Sequence, residues 1–148
     1  MKILIAPDKF KGSLTASQAA EAIQCGFHEV IPDAVFDLTP IADGGEGTVE
    51  VFLSQDRAQP RRVACSDALG QSLMADYAWL PDERLAVIGM SSASGLAIIP
   101  EGKRDILRST TFGTGQLIRD ALSLEPETLA IGLGGSATND AGAGMASA

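Results

Sequence analysis

The chain has 148 residues, of which 45% are hydrophobic and 20% charged, with a formal net charge of −8. This length suits one domain with a sizeable core. The acidic balance argues against nucleic acid and the membrane surface as partners, because both attract basic patches. The opening apolar run at residues 3–6 is too short for a signal peptide, and no run reaches the roughly 18 apolar residues of a membrane span. We therefore expect a cytoplasmic protein.

The first 58 residues alternate strands and helices. A continuous apolar run predicts a buried strand from Lys2 to Ala6. The T-x-x-Q capping box at Thr15 predicts a helix that Pro32 ends. A second strand over Val35–Leu38 and a helix over Gly47–Leu53 repeat the order strand, loop, helix, which is typical of a parallel α/β sheet. The apolar face of the first helix comprises Ala16, Ala19, Ala20, Ile23, Phe27, Val30 and Ile31.

The region from about 61 to 88 has a different pattern. Its strand-like runs are Arg61–Cys65, Leu73–Leu80 and Leu85–Ile88. Turn sequences separate these runs, which predicts an antiparallel meander. Residues 91–148 return to the α/β pattern, with predicted elements at Ser91–Ile98 (helix), Thr114–Leu124 (helix) and Thr128–Leu133 (strand). We therefore expect an α/β fold in which a mainly parallel, Rossmann-like sheet carries helices and a short antiparallel meander.

Three polar, glycine-bearing loops each follow a predicted strand. They read "APDKFKGSLTA" at 6–16, "IADGGEGT" at 41–48 and "GGSATNDAGAG" at 134–144. In an open parallel sheet the ligand crevice lies at the carboxyl ends of the strands. We therefore expect the three loops to gather at one edge and to form one binding site.

The first loop carries two lysines, Lys9 and Lys11, just before the predicted helix start. Lysine side chains and the N–H groups of a helix N-terminus suit an anion such as a phosphate or a carboxylate. Asp8 and Ser13 add polar groups to this loop. The alternative is that both lysines are ordinary solvated charges.

The second loop places Asp43 and Glu46 around Gly44 and Gly45. Carboxylates in such a position can hold Mg²⁺ or accept a proton. Closely spaced glycines indicate unusual backbone angles or a close approach. The alternative is a helix cap with acidic residues in its first turn.

The third loop is the richest in polar groups. Its candidate residues are Gly134, Gly135, Ser136, Thr138, Asn139 and Asp140. Together they are typical of a phosphate and metal cradle, and the alternative is a polar turn. The spacing Gly132-x-Gly134-x-x-Ala137 also matches a loose dinucleotide pattern, whereas no Walker A motif occurs.

These stretches, together with "TTFGTGQLI" at 110–118 and "SASGLAII" at 92–99, resemble the glycerate kinase family, the type I bacterial glycerate 2-kinases. The resemblance runs from the first residue to the last. It implies a two-domain α/β enzyme that uses ATP and Mg²⁺ to phosphorylate D-glycerate at the 2-hydroxyl, with ATP and D-glycerate as small-molecule partners.

The resemblance also implies roles for the loop residues. Lys11 and Asp43 are the candidate catalytic residues, and Asp43 and Asp140 are the candidate magnesium ligands. The residues expected to bind substrate or phosphate are Asp8, Lys9, Ser13, Gly44, Gly45, Glu46, Gly134, Gly135, Ser136, Thr138 and Asn139.

The sequence departs from the family pattern in three ways. Gly89 precedes Met90 where the family usually has Glu, and Ala141 follows the Asn-Asp pair where a second Gly is common. Family members are also more than twice as long, so we expect an N-terminal portion of a two-domain kinase. An incomplete sheet leaves apolar faces or an edge strand open, which favours self-association. The alternatives are a non-catalytic fragment that binds a nucleotide or anion, and a dinucleotide-binding oxidoreductase module.

Overall fold

A computed structural model describes all 148 residues, and the chain divides into two compact units, Met1–Asp43 and Gly44–Ala148. Parallel and antiparallel strands occur together with five α-helices, which confirms the α/β class. The boundary between the units lies inside the second glycine loop. No helix is both long enough and apolar enough to cross a membrane.

The first unit contains two parallel strands and one long helix. Strand β1 (Lys2–Ile5) pairs with β2 (Val35–Leu38), and helix α1 (Ala16–Val30) connects them. The predicted capping box is confirmed, because the Thr15 side chain accepts from the Gln18 amide and the Gln18 side chain accepts from the Thr15 amide. The capping box thereby gives hydrogen-bond acceptors to two amides at the start of α1, those of Thr15 and Gln18.

The predicted apolar face of α1 is buried only near its start. Ala16, Ala19 and Ala20 are buried, whereas Phe27 is 43% exposed and Val30 is 80% exposed. A helix of 15 residues is about 22 Å long, whereas a four-residue strand spans only about 13 Å. The strand pair is therefore too short to cover the whole helix, and the helix's carboxyl half keeps its apolar side chains in solvent.

The second unit is built on a four-stranded sheet. In order across the sheet the strands are β3 (Gln59–Ser66), β4 (Ser72–Leu80), β5 (Leu85–Gly89) and β6 (Thr128–Gly132). The first three are antiparallel neighbours, which confirms the predicted meander, and β6 pairs parallel with β5. The meander and the last α/β crossover therefore share one sheet.

The helices of the second unit are α2 (Thr48–Leu53), α3 (Ser91–Ser94), α4 (Phe112–Leu122) and α5 (Ala143–Ser147), with a 3₁₀ turn at Glu101–Lys103. Helix α3 is shorter than the predicted Ser91–Ile98. Gly95 is extended and forms a β-bridge with Ser136 of the third glycine loop, which ends the helix.

The sheet of the second unit carries apolar side chains on both faces. Tyr77, Ile88 and Leu117 are fully buried in the core between the sheet and α4. A smaller cluster that includes Val49 of α2 and Val87 covers the opposite face. Period-two alternation along β4 and β5 supplies both faces at once, as expected for strands that are covered on each side.

One polar contact is built into this core. The Tyr77 hydroxyl donates a 2.9 Å hydrogen bond to Asp120 Oδ2 on α4. Burial, together with this hydrogen bond to the carboxylate, raises the pKa of Tyr77 to about 12. The phenol therefore stays protonated and ties β4 to α4 at neutral pH.

We expect Gly113→Ala to destabilise the second unit, because a Cβ at this position of α4 would collide with the backbone carbonyl oxygen of Ser66. Overpacking against backbone costs about 1–3 kcal/mol. The matched control is Gly26→Ala in α1, where a Cβ meets nothing within 4 Å and removing a helical glycine stabilises by up to about 1 kcal/mol. Urea unfolding of both variants checks the prediction, and equal effects would contradict it.

Candidate functional site

The second and third glycine loops touch through their backbones. The Gly134 amide donates a 2.9 Å hydrogen bond to the Gly44 carbonyl. A Cβ on Gly132 would lie 2.6 Å from the Gly44 oxygen, and a Cβ on Gly134 would lie 2.6 Å from Gly45 Cα. Only glycine permits this approach, so the two loops that the sequence singled out are neighbours because neither has a side chain at the contact.

Two side chains flank the next residue of the third loop. Gly135 adopts a φ of +72°, and a Cβ there would lie 3.2 Å from both Glu46 Cγ and Ser91 Cβ. Glu46 therefore lies beside the third loop. Ser91 was not among the predicted site residues, although it belongs to the serine-rich run that follows β5.

The third loop is also paired with the turn after α3. The Ala137 amide donates to the Ser94 carbonyl at 2.9 Å, and the Leu96 amide donates to the Gly135 carbonyl at 2.8 Å. The buried hydroxyl of Ser94 lies 2.9 Å from that of Thr114 on α4. These bonds fix the middle of the loop to the end of α3, which Ser94 in turn joins to α4.

Asp140 lies at the centre of the best-connected polar cluster of the chain. Its Oδ2 accepts from the Thr111 amide at 2.8 Å, from the Thr110 hydroxyl at 3.2 Å and from the Gly144 amide at 3.1 Å. The Thr111 hydroxyl donates to both oxygens, and the Gly142 amide donates to Oδ1 at 3.2 Å. One carboxylate thus joins the start of α4 to the start of α5.

The charge state of Asp140 follows from these contacts. Partial burial by itself would raise the pKa of Asp140, but the bonds from the backbone and side chain of Thr111 and from the amides of Gly144 and Gly142 outweigh burial. They lower the pKa to about 2. The group is therefore a permanent anion at neutral pH, and its negative charge is matched by donors of its own chain.

Several amides of the third loop donate no hydrogen bond within the chain. They belong to Gly135, Ser136, Asn139, Asp140 and Ala141. Ala141 and Gly142 have φ values of +52° and +79°. Successive amides around left-handed residues form concave anion sites. The hydroxyls of Ser136 and Thr138 lie 2.8 Å apart in the same loop, so the loop offers donors in excess of its internal needs.

The remaining predicted residues lie in the first unit. Lys9 Nζ lies 3.8 Å from Asp43 Oδ1, with side chains 21% and 71% exposed. The Asp8 carboxylate accepts from the Lys9 amide at 2.6 Å. The structure therefore joins Lys9 to the candidate catalytic aspartate.

Lys11 and Ser13 are exposed on a tight turn. Phe10 and Leu14 close this turn with backbone bonds of 2.9 and 3.1 Å, and Gly12 has a φ of +75° within it. Lys9 and Lys11 thus have different surroundings although they are two residues apart. The prediction that all three loops share one sheet edge stays a prediction.

The carboxylates do not form a ready-made magnesium cage. No group of three His, Cys, Asp or Glu side chains lies close enough to hold a metal ion. Both oxygens of Asp140 are engaged by protein donors. Magnesium is commonly held by one or two carboxylates plus substrate phosphates. Of the two predicted ligands, Asp43 has a side chain that is 71% exposed, and the metal roles of both residues stay predictions.

Gly89 stands where the resemblance predicted a glutamate. A Cβ on Gly89 would lie 3.3 Å from Val49 Cγ2 and 3.4–3.5 Å from the hydroxyls of Ser92 and Ser91. A side chain at this position would thus start beside Ser92 and Ser91, of which Ser91 also adjoins Gly135. A cleft of about 400 Å³ between β3, β4 and α4 contains none of the predicted site residues; it is lined by Ala64, Cys65, Ser66, Gly70, Ser72, Leu73, Met74 and Gln116.

Comparison with known proteins identifies the family of the chain. The model of the glycerate kinase family matches residues 3–148. A glycerate kinase of Halalkalibacterium halodurans is 50% identical over 146 residues, and the glycerate 2-kinase of Escherichia coli K12 is 47% identical over 148 residues. A crystal structure from Salmonella typhimurium LT2, provisionally described as glycerate kinase 2, is 49% identical with a TM-score of 0.83 over 98% of this chain.

The chain belongs to the glycerate kinase family. It spans 38–39% of the length of these relatives and 39% of the Salmonella chain. The family assignment does not support the dinucleotide alternative. In the structure the Gly132-x-Gly134-x-x-Ala137 stretch leads into a further loop, and α5 starts only at residue 143.

The stability that Asp140 contributes should depend on pH. Its folded-state pKa of about 2 lies below the ordinary aspartate value, which is about 3.9 in an unfolded chain. The contribution is therefore complete above about pH 4–5 and is lost as the pH falls toward 2. We expect Asp140→Asn to lower the urea concentration at the midpoint of unfolding at pH 6, and to lower it much less at pH 2.5. The control is Asp82→Asn in the exposed β4–β5 turn; the same deficit for Asp140→Asn at both pH values would refute the assignment.

Proposed function

We propose that the protein containing this chain transfers the γ-phosphoryl group of ATP to the 2-hydroxyl of D-glycerate, giving 2-phosphoglycerate and ADP. Family membership supports the reaction class, and the E. coli relative that is 47% identical is named glycerate 2-kinase. The observation that carries the proposal is the row of amides in the third glycine loop that have no acceptor within the chain.

Phosphoryl transfer depends mainly on positioning and on stabilising negative charge. In the proposed reaction the bond between the γ-phosphorus and its bridging oxygen breaks, a bond to the glycerate oxygen forms, and the hydroxyl loses its proton. Backbone N–H groups suit this task because they are strong donors that add no flexible side chain. We assign the phosphates to the amides of Gly135, Ser136, Asn139 and Ala141 and to the hydroxyl of Thr138.

The lysines of the first loop supply the positive charge. The chain carries a net charge of −8, which by itself repels ATP and glycerate. Lys11 is exposed on its turn, so we assign it to an anionic group of the reactants. Lys9 lies 3.8 Å from Asp43, so we assign it to holding that carboxylate as well as to anion binding. Asp8 and Ser13 support this loop.

Asp43 is the residue that we assign to the hydroxyl proton. Its side chain is 71% exposed, so its oxygens can reach a ligand. A bound Mg²⁺ would neutralise phosphate charge, and Asp43 is the carboxylate here that fits it. Glu46 lies beside Gly135 within the second unit. We expect these groups to act in the bacterial cytoplasm, where both small-molecule substrates occur.

For the isolated 148 residues we propose ATP or anion binding without turnover. The chain covers about two-fifths of its relatives, so most of a relative's scaffold lies outside it. The third loop is nevertheless held by contacts inside the second unit alone, with Gly44, Ser94 and Thr111 as the principal partners. Binding of nucleotide phosphates therefore does not require the rest of the scaffold.

A chimera with a full-length relative tests the proposal. This chain replaces the matching segment of E. coli glycerate 2-kinase, and ADP release is followed with and without D-glycerate. We expect glycerate-dependent ADP release, checked beside the parent enzyme. A folded chimera that releases no ADP would overturn the proposal if Gly89→Glu also fails to restore release, because the missing glutamate would then not be the cause.

Within an active chimera, we expect Lys11→Ala and Asp43→Asn each to lower kcat/KM by at least about 100-fold, a typical loss for a group that stabilises charge or moves a proton in the transition state. The matched control is Lys103→Ala, which removes an exposed lysine from the 3₁₀ turn of the second unit. Rates within about threefold of the unsubstituted chimera would remove Lys11 or Asp43 from the site.

A further inference from the structure

Asp140 was predicted from the sequence as a magnesium ligand, and its surroundings indicate a different task. A carboxylate has about four lone-pair positions. The two oxygens already receive hydrogen bonds from three amides, those of Thr111, Gly142 and Gly144, and from two hydroxyls, those of Thr110 and Thr111. Five donors thus compete for about four acceptor positions, and a cation at Asp140 would have to compete with them.

We infer that Asp140 is a positioning residue that holds the third glycine loop in its phosphate-binding shape and does not bind magnesium. The part of this inference that concerns phosphate rests on the proposed function. The part that concerns the loop's shape stands on the hydrogen bonds alone.

The donors come from two elements that are far apart in sequence. Thr110 and Thr111 precede α4, whereas Gly142 and Gly144 lie at the start of α5. A Cβ on Gly144 would collide with the Thr110 hydroxyl oxygen and would lie 2.8 Å from Asp140 Oδ2. The two helix starts therefore converge on one carboxylate, and the glycine is needed for the approach.

Thr111 completes the contact from the other side. Its side chain is 1% exposed, and its hydroxyl donates to Asp140 and accepts from the Met145 amide at 2.8 Å. The hydroxyl is therefore shared between the carboxylate and α5. Loss of either Asp140 or Thr111 should therefore weaken the attachment of the start of α5 to the start of α4.

This contact fixes one end of the loop, and the Ser94–Ala137 bond fixes the other. Thr138 and Asn139 lie between the two anchors, and the unpaired amide of Ala141 directly follows Asp140. A loop held at both ends presents its amides to a ligand without a further ordering cost. Removal of the carboxylate should therefore weaken phosphate binding although Asp140 itself touches no phosphate.

The test uses the 148-residue chain with two measurements: amide hydrogen exchange by NMR in the absence of metal and nucleotide, and ATP affinity by titration calorimetry with and without Mg²⁺. For Asp140→Ala we expect exchange at Thr111, Gly142 and Gly144 to rise about tenfold or more, and ATP affinity to fall about tenfold with and without Mg²⁺. Asp140→Asn keeps one acceptor oxygen, so we expect a smaller change in both readings.

Two further variants separate positioning from general loss of structure. Thr111→Val should raise exchange at Gly142 and Gly144, and the double variant with Asp140→Ala should be no worse than Asp140→Ala alone. Asp67→Ala is the control, because Asp67 also accepts two backbone amides, those of Leu69 and Gln71, in a turn of the same unit. We expect it to leave ATP affinity within about twofold.

The outcomes are distinguishable. If metal-free exchange is unchanged in Asp140→Ala while the Mg²⁺-dependent part of ATP affinity disappears, Asp140 is a metal ligand and the inference is wrong. If the wild-type chain binds no ATP, the proposed binding function of the chain fails, and the exchange data still decide whether Asp140 holds the loop. Raised exchange with unchanged ATP affinity would contradict the positioning role.

Discussion

The backbone of Gly44 and Gly45 lies against the backbone of Gly132 and Gly134 at a distance that leaves no room for a side chain. This contact places the start of α2 beside the end of β6. It also brings Glu46 next to Gly135 and orients the whole third loop. The polar groups of the second unit's site depend on it, because a methyl group on Gly132 or Gly134 would separate the two loops.

The net charge of the chain does not indicate how the proposed site would bind anions. The chain is acidic, yet its proposed ligands are anions. Neutral backbone amides provide donors without a counter-charge, and the one carboxylate in the middle of the third loop is engaged by donors of its own chain. We therefore assign Asp140 to holding the shape of the loop. The charged groups that we assign to the reactants are the lysines and Asp43 of the first unit.

Local rules account for the parts that were predictable from sequence. The Thr15 capping box and the strand Val35–Leu38 are both confirmed with the expected bounds, because each depends on neighbours within a few residues. The antiparallel meander was likewise indicated by the turn sequences between its strands. The importance of the glycine loops was also evident, since glycines cluster there without a helical or strand period.

Contacts between distant residues account for the rest. Helix α3 ends early because Gly95 pairs with Ser136, which lies far along the chain. The donors of Asp140 include Thr110 and Thr111, about thirty positions away, so no local pattern separates a metal ligand from a structural anchor. Phe27 and Val30 are exposed because the strands opposite α1 are short. The periodicity of the helix sequence carries no information about the length of those strands.

The most direct test of this account is a map of where ATP binds the 148-residue chain. Backbone amide shifts are followed by NMR during titration with Mg-ATP. We expect the largest shifts at Gly135, Ser136, Asn139 and Ala141, four of the five third-loop amides that donate no bond within the chain. Shifts confined to the 400 Å³ cleft around Ser66 and Gln116, with the third loop unchanged, would contradict it.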